Sequence, residues 1–396
     1  MPPYPLLSKP LFALSFSAFA IGLSEFVVIG LLTQISLNLG LDIAMTGLLI
    51  TAYALGVSLG SPILAYLTRR SDSKPICVGL IGVFALANLA SAMIPSFIAI
   101  LFTRLVAGAT HGAYFSIAST VAPSLVTPKK APLAIAVMFS GLTVAMVLGV
   151  PAGIGLGLVL GWKSVFISIA LLAALAAVLI HYFVPRLEDA IDPVEEAPFG
   201  AYLTGGLLTL YSITIFGFGG GFVFFSYVEP YLREALSFGP SEIARSLMVV
   251  GFGSLVGNAL GGKLLEAFGS MRGIAGAITV QAIVLIGLGL TPHLPVVFHI
   301  LLFFWSISCF AIAPMVQTAV VMLATGNKWL NPRLTAGLNA TAFNVGISVA
   351  TFCASGLVAV RWVLDLPFAA ALVVITALPI CLYPLLRPRS LHNMGA

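Results

Sequence analysis

The chain has 396 residues, 60% of them hydrophobic and 8% charged, with a mean hydropathy of +1.12. No water-soluble domain buries that much apolar material and still covers its surface with charge, so the composition excludes a soluble enzyme or binding module. A net charge of +5 would suggest nucleic acid in a soluble protein, but here the positions of the charges carry the information.

A membrane-spanning helix needs about 20 mostly apolar residues to cross roughly 30 Å of hydrocarbon. Such runs fall near 11–36, 46–67, 75–94, 97–121, 132–157, 162–183, 203–229, 242–264, 273–291, 295–322, 334–359 and 363–386. Transmembrane strands would be shorter and strictly alternating. The expected fold is therefore an all-α integral membrane protein of twelve transmembrane helices. Lys9, the apolar residues after it and "AFA" (18 to 20) imitate a signal peptide. The run continues past that point, which predicts an uncleaved first span.

Span one contains a carboxylate, Glu25, near its middle. Rising from the cytoplasm, it reaches Glu25 after about 14 residues, roughly 21 Å at 1.5 Å per residue. Span four carries Arg104 about seven residues in from the other side, roughly 10 Å deep. The two depths nearly coincide, so these charges could pair. Isolated charges at mid-membrane cost about 2.5–3.5 kcal/mol, so they face a cavity or a partner. Two readings stand: a static ion pair joining spans one and four, or a proton or substrate site. His111 lies two turns beyond Arg104 on the same face, as a cavity group or as a hydrogen-bonded core histidine.

Span five carries Gly149, Gly153, Gly157 and Gly161 at four-residue intervals, and span eight carries Gly253, Gly257 and Gly261. One helix face without side chains permits close approach of a neighbour. That fits static packing or a surface on which two halves slide. The longest polar segment, "PRLEDAIDPVEEAPFG" (185 to 200), holds five of the thirteen acidic residues and divides six spans from six. The expected domains are 1–184, a cytoplasmic loop 185–200, and 201–396. A shift of 197 residues lays Gly22 on Gly219, Gly56 on Gly253, Gly60 on Gly257 and Gly149 on Gly346, as two pseudo-symmetric halves require. Transporters built from two such repeats place the substrate near the midplane between them.

Span seven contains "FGFGGGFVFF" (216 to 225), a glycine-weakened and aromatic helix suited to bending beside an apolar pocket or to facing lipid. It ends in "FSYVEPYL" (225 to 232), where Glu229 is either a solvated helix end at the outer surface or a cavity residue. Tyr114, Phe222, Trp305, Gln317, Asn339 and Asn344 complete the candidates for lining a substrate cavity. Cys77, Cys309, Cys353 and Cys381 have no paired spacing and read as apolar packing residues. "GVSLG" (56 to 60) imitates a nucleophile elbow and "GFGSLVG" (251 to 257) a dinucleotide fingerprint, but both lie inside apolar helices with no strand before them. No metal-ligand cluster, cofactor site or phosphate loop is visible, which argues against an enzyme and against direct drive by ATP.

Lys and Arg set the orientation. With the N-terminus inside, the cytoplasmic side holds Lys9, Arg69, Arg70, Lys74, Lys129, Lys130, Arg186, Lys263, Arg272, Lys328, Arg333, Arg387 and Arg389. The other side holds Lys163, Arg233, Arg245 and Arg361. Both termini are therefore expected in the cytoplasm. Trp162 and Trp362 fall at outer helix ends and Trp329 in an inner loop, as an aromatic belt would place them.

Six stretches carry a resemblance: "SEFVVIGLL" (24 to 32), "RLVAGATHGAYFSIAS" (104 to 119), "GLTVAMVLGVPAG" (141 to 153), "GWKSVF" (161 to 166), "SYVEPYL" (226 to 232) and "FNVGI" (343 to 347). Over nearly its full length the chain resembles the major facilitator superfamily, within it the drug:proton antiporter group, and there the bacterial sugar (arabinose-type) efflux permeases. The resemblance implies that Glu25 is the first-helix acid of proton coupling and Arg104 the arginine of the proton-linked motif. Gly149, Pro151 and Gly153 match the exporter motif of the fifth helix, with Gly-Val-Pro in place of Gly-Pro. The loop motif after span two has Arg69 where the family has aspartate. Its echo, "GKLLEAFGSMR" (262 to 272), keeps Gly262, Glu266 and Gly269.

The reading is a proton-driven exporter of small organic molecules in a bacterial inner membrane. Its expected partners are a small-molecule substrate, protons and the lipid bilayer, without nucleic acid or cofactor and acting as a monomer. The alternatives are an uptake symporter or facilitator and a non-transporting membrane sensor. An intramembrane enzyme would need a nucleophile–base pair, and none is evident.

Overall fold

A computed structural model describes residues 4–68, 71–94, 96–127, 130–186, 198–203, 205–327 and 329–386. Arg69, Arg70, Lys129, Lys328, Arg387, Arg389 and most of the 185–200 loop, which support the orientation and the division of the chain, lie outside the described residues. Among the described residues, twelve helices are long and apolar enough to cross a membrane. They are α1 (Lys9–Leu39), α2 (Ile43–Leu64), α3 (Ser73–Met93), α4 (Phe97–Ser124), α5 (Leu133–Leu160) and α6 (Trp162–Phe183), then α7 (Gly205–Phe225), α8 (Pro240–Phe268), α9 (Ser270–Leu290), α10 (Pro295–Thr325), α11 (Leu334–Ala359) and α12 (Val363–Tyr383). A helix satisfies its own backbone hydrogen bonds, which hydrocarbon demands, and the uniformly apolar runs supply no strand alternation.

The chain divides into two compact units: Met1–Asp192 with Pro240–Met248, and Pro193–Gly239 with Val249–Ala396. Within the first, glycines bring α2 and α4 into backbone contact. A side-chain carbon at Gly56 would overlap the Leu105 carbonyl oxygen, and one at Gly108 would overlap that of Tyr53. The second unit repeats the device, because a carbon at Gly253 or Gly257 would strike the carbonyl oxygens of Phe303 or Ile307 on α10. Likewise Gly22 on α1 faces Leu142 and Ala145 on α5, and Gly219 on α7 faces Gly346 on α11. The 197-residue repeat is thus visible as matching helix pairs.

The glycine ladders do not form the sliding surface that their spacing allowed. Positions 149, 153 and 157 of α5 face Phe19, Leu23, Val27 and Leu31 of α1, with Val165 of α6 alongside. Positions 253, 257 and 261 of α8 face α10. Both ladders lock helices inside one unit, and the reason is steric: each presents a groove that a neighbouring helix already fills. We expect Gly153→Leu to drive a side chain into Val27, lowering stability by about 1–3 kcal/mol. Gly155→Leu, with no neighbour within 4 Å, should leave thermal unfolding nearly unchanged.

Two helices break their pitch. In α5 a π-turn spans Ala145–Gly149, just before Pro151, which lacks the N–H that would bond to the residue four before it. In α7 a π-turn (Thr214–Phe218) runs into a 3₁₀ turn (Gly219–Gly221), where glycine weakens the helix. The helix resumes at Phe222 and the seventh span ends at Phe225; after a turn at Ser226 and Tyr227, Glu229 lies in the first turn of a separate short helix, Val228–Leu236. Trp162 also departs from expectation. It is buried, and its Nε1 donates to Asn38 Oδ1 at 3.0 Å, whereas Trp329 and Trp362 are exposed as belt residues would be. Among the described residues no cysteine forms a disulfide: Cys77, Cys309 and Cys381 are buried and Cys353 is exposed.

Candidate functional site

The first unit holds both intramembrane charges. Arg104 on α4 is fully buried, with its guanidinium carbon 4.1 Å from the centre of the Tyr53 ring on α2 and 5.9 Å from that of Phe166 on α6. An aromatic face attracts a desolvated cation. Arg104 Nη1 donates to Ser24 Oγ at 2.9 Å, Ser24 donates to Asn88 Oδ1 on α3 at 2.8 Å, and Asn88 Nδ2 donates to the Phe84 carbonyl at 2.9 Å. Nε and Nη2 of Arg104 have no hydrogen-bond partner among the described residues.

Glu25 is half-buried on α1. The ion pairs among the described residues are Arg233–Glu229 and Arg245–Glu242, so Glu25 and Arg104 do not make the contact that their matched depths suggested. The charges still act on one another electrostatically. Depth fixes height along a helix but not direction around it. Successive residues turn by about 100°, and it is Ser24, next to Glu25, that faces the arginine.

His111 is buried, with Nδ1 3.0 Å from the Tyr53 hydroxyl and its ring edge-on to Phe115. It joins the same α2–α4 cluster through Tyr53. Tyr114 is fully buried and donates to the Leu14 carbonyl at 3.5 Å, tying α4 to α1. That placement makes it a helix tie and removes it from the cavity candidates.

The other candidates lie in the second unit. Asn339 is fully buried, accepts from Thr214 Oγ1 at 2.8 Å and donates to half-buried Gln317 at 2.7 Å, so α7, α10 and α11 share one polar chain. Asn344 donates to the Ala340 carbonyl, while its Oδ1 has no partner among the described residues. Phe222 and Trp305 belong to a buried aromatic cluster: Phe222 packs edge-on to Phe225, and Trp305 touches Phe224 and Phe225. Glu229 is not a solvated helix end. Its side chain is 1% exposed and paired to Arg233 one turn on. A carboxylate this buried needs such a partner, and the short helix supplies it at the next turn. Glu266 is exposed, while Gly262 has open space around it and Gly269 ends α8 with φ +76.

Sequence reasoning missed Ser24, Tyr53, Asn88 and Gln281. Gln281 on α9 is fully buried beside Gly221, and neither amide atom is bonded among the described residues. Asn88 and Gln281 did leave a signal, each being an amide in an otherwise apolar span. Tyr53 and Ser24 read as ordinary helix residues, and only the fold brings them to Arg104.

Twelve apolar helices with a buried cation and a carboxylate in their interior define a polytopic membrane protein of transporter type. The family model of the Major Facilitator Superfamily matches residues 14–351, and the chain belongs to that superfamily. It is 30% identical over 341 residues to the inner membrane transport protein YdhP of Escherichia coli strain K12, covering 86% of each chain. It is 29% identical over 343 residues to a probable sugar efflux transporter of Helicobacter pylori, covering 85% of each. Among solved structures, the fold is similar to that of a D-xylose-proton symporter, with a TM-score of 0.76 at 15% identity, covering 94% of this chain and 96% of that one.

Proposed function

We propose that this transporter is a proton-driven efflux antiporter for small organic molecules in a bacterial inner membrane, working by alternating access with both termini in the cytoplasm. The observation that carries the reading is Glu25, a carboxylate inside a membrane span with no ion-pair contact among the described residues and a buried cation acting on it. Burial disfavours an ionised carboxylate and a nearby positive charge favours it. A conformational change that alters either influence exchanges a proton between the two sides.

Orientation rests on the thirteen cytoplasmic against four outer Lys and Arg side chains. Export is supported by the likeness to a probable sugar efflux transporter and by Gly149, Pro151 and Gly153 in the exporter-like stretch. The six-helix repeats, 1–184 and 201–396, are the moving bodies, and a single copy suffices. His111, Phe222, Glu229, Trp305, Gln317, Asn339 and Asn344 are the remaining candidates for contact with the substrate.

Inverted membrane vesicles and a labelled panel of sugars and cationic drugs test the direction. A transported compound should accumulate in inverted vesicles energised to an acid interior, and a protonophore should abolish the accumulation. Proton-dependent accumulation in right-side-out vesicles alone would establish uptake instead.

A further inference from the structure

The hydroxyl of Ser24 has one proton, and it goes to Asn88 Oδ1 at 2.8 Å. What remains toward Arg104 are lone pairs, so Asn88 orients Ser24 as a pure acceptor for Nη1 at 2.9 Å. Asn88 is itself aimed by its bond to the Phe84 carbonyl. Arg104 and Ser24 are fully buried and Asn88 is 1% exposed, so water does not compete for these bonds.

We propose that Ser24 and Asn88 are positioning residues that hold Arg104 on a neutral acceptor and keep it from closing an ion pair with Glu25. The proposal rests on the proton-coupling reading above and adds to it. A carboxylate locked to a guanidinium would hold its charge and resist protonation. A neutral acceptor one residue away gives the arginine a place to rest in either charge state of Glu25. Without the Ser24 oxygen, Nη1 loses the acceptor that holds it, and Glu25 is the carboxylate that acts on Arg104.

The titratable groups around Glu25 are few. Arg104 on α4 and Tyr53 on α2 act on it directly, while α4 also carries His111, bonded to Tyr53, and Tyr114, bonded to the Leu14 carbonyl. α5 has no titratable residue, and α6 has only Lys163, His181 and Tyr182 near its ends. Glu242 and Arg245, in the segment of α8 that belongs to this unit, are paired with each other. A shift seen in Glu25 therefore reports on the arginine.

The test is pH-difference infrared spectroscopy of the purified full chain in lipid nanodiscs, with the Glu25 carboxyl band assigned by its loss in Glu25→Gln. In Ser24→Ala and Asn88→Leu the midpoint of that band should move to lower pH by about one unit, a tenfold change in proton affinity. Ser24→Thr keeps the hydroxyl and should keep the midpoint. Ser91→Ala, a buried serine of α3 outside this chain of bonds, should also keep it. An unchanged midpoint in folded Ser24→Ala overturns the proposal but leaves proton coupling standing. A shifted midpoint in a protein that shows no proton-driven transport supports the positioning and removes the antiport reading. A wild-type Glu25 that never titrates overturns both.

Discussion

Glu25→Gln should abolish proton-driven transport completely while the protein still folds and reaches the membrane. Glutamine matches glutamate in size and hydrogen-bonding shape but cannot bind or release the proton. The position is half-buried and makes no ion pair among the described residues, so the substitution breaks none of those pairs. The variant mimics the protonated carrier. In proteoliposomes it should therefore lose accumulation driven by a pH gradient, yet retain exchange of labelled for unlabelled substrate, which moves no net proton. Full gradient-driven accumulation by the purified variant would remove Glu25 from the coupling step.

The largest effect on folding should come from Gly108→Val. A side-chain carbon there would overlap the Tyr53 carbonyl oxygen and press on the backbone nitrogen of Val57. Neither is a flexible side-chain end, so α2 and α4 must separate along their contact. Separation would also disturb the stacking of Arg104 on Tyr53 and the bond between Tyr53 and His111. Overpacking costs about 1–3 kcal/mol where side chains can adjust and more where backbone must move. We expect monodisperse protein to be lost in size-exclusion chromatography. Gly276→Val in α9 carries the same penalty for a branched residue in a helix but has no neighbour within 4 Å, and it should elute as wild type. Equal profiles for the two variants would show that α2 and α4 can part without cost.

Several features of this fold were legible because they depend on local composition. Twelve apolar runs give twelve spans, since each must cross the same thickness of hydrocarbon. The glycine matches at 197 residues have a physical counterpart in the α2–α4 and α8–α10 contacts. What stayed hidden is azimuth and partner choice. Helical rise predicted that Glu25 and Arg104 share a depth, but the residue that faces the arginine is Ser24, about 100° round the helix. Four-residue glycine spacing announced a close contact without naming the helix that makes it, and α1 filled the groove of α5. Glu229 read as a solvated helix end or a cavity residue because it comes late in its span, just before Pro230. A turn at Ser226 and Tyr227 instead ends the span early, and the short helix after it leaves the carboxylate buried against Arg233.

The uneven burial of the four thiols equips the native chain with its own unfolding gauge. Cys353 faces outward from α11, inside a membrane span, so its label should be an apolar maleimide that partitions into detergent, whereas Cys77, Cys309 and Cys381 stay shielded until helices part. A thiol-reactive dye added after Cys353 has been blocked would start dark and brighten only on melting. Cys77 belongs to the first compact unit, and Cys309 and Cys381 to the second. Mass spectrometry of the modified peptides along a temperature ramp would then record which unit opens first, in wild-type protein with no engineered cysteine.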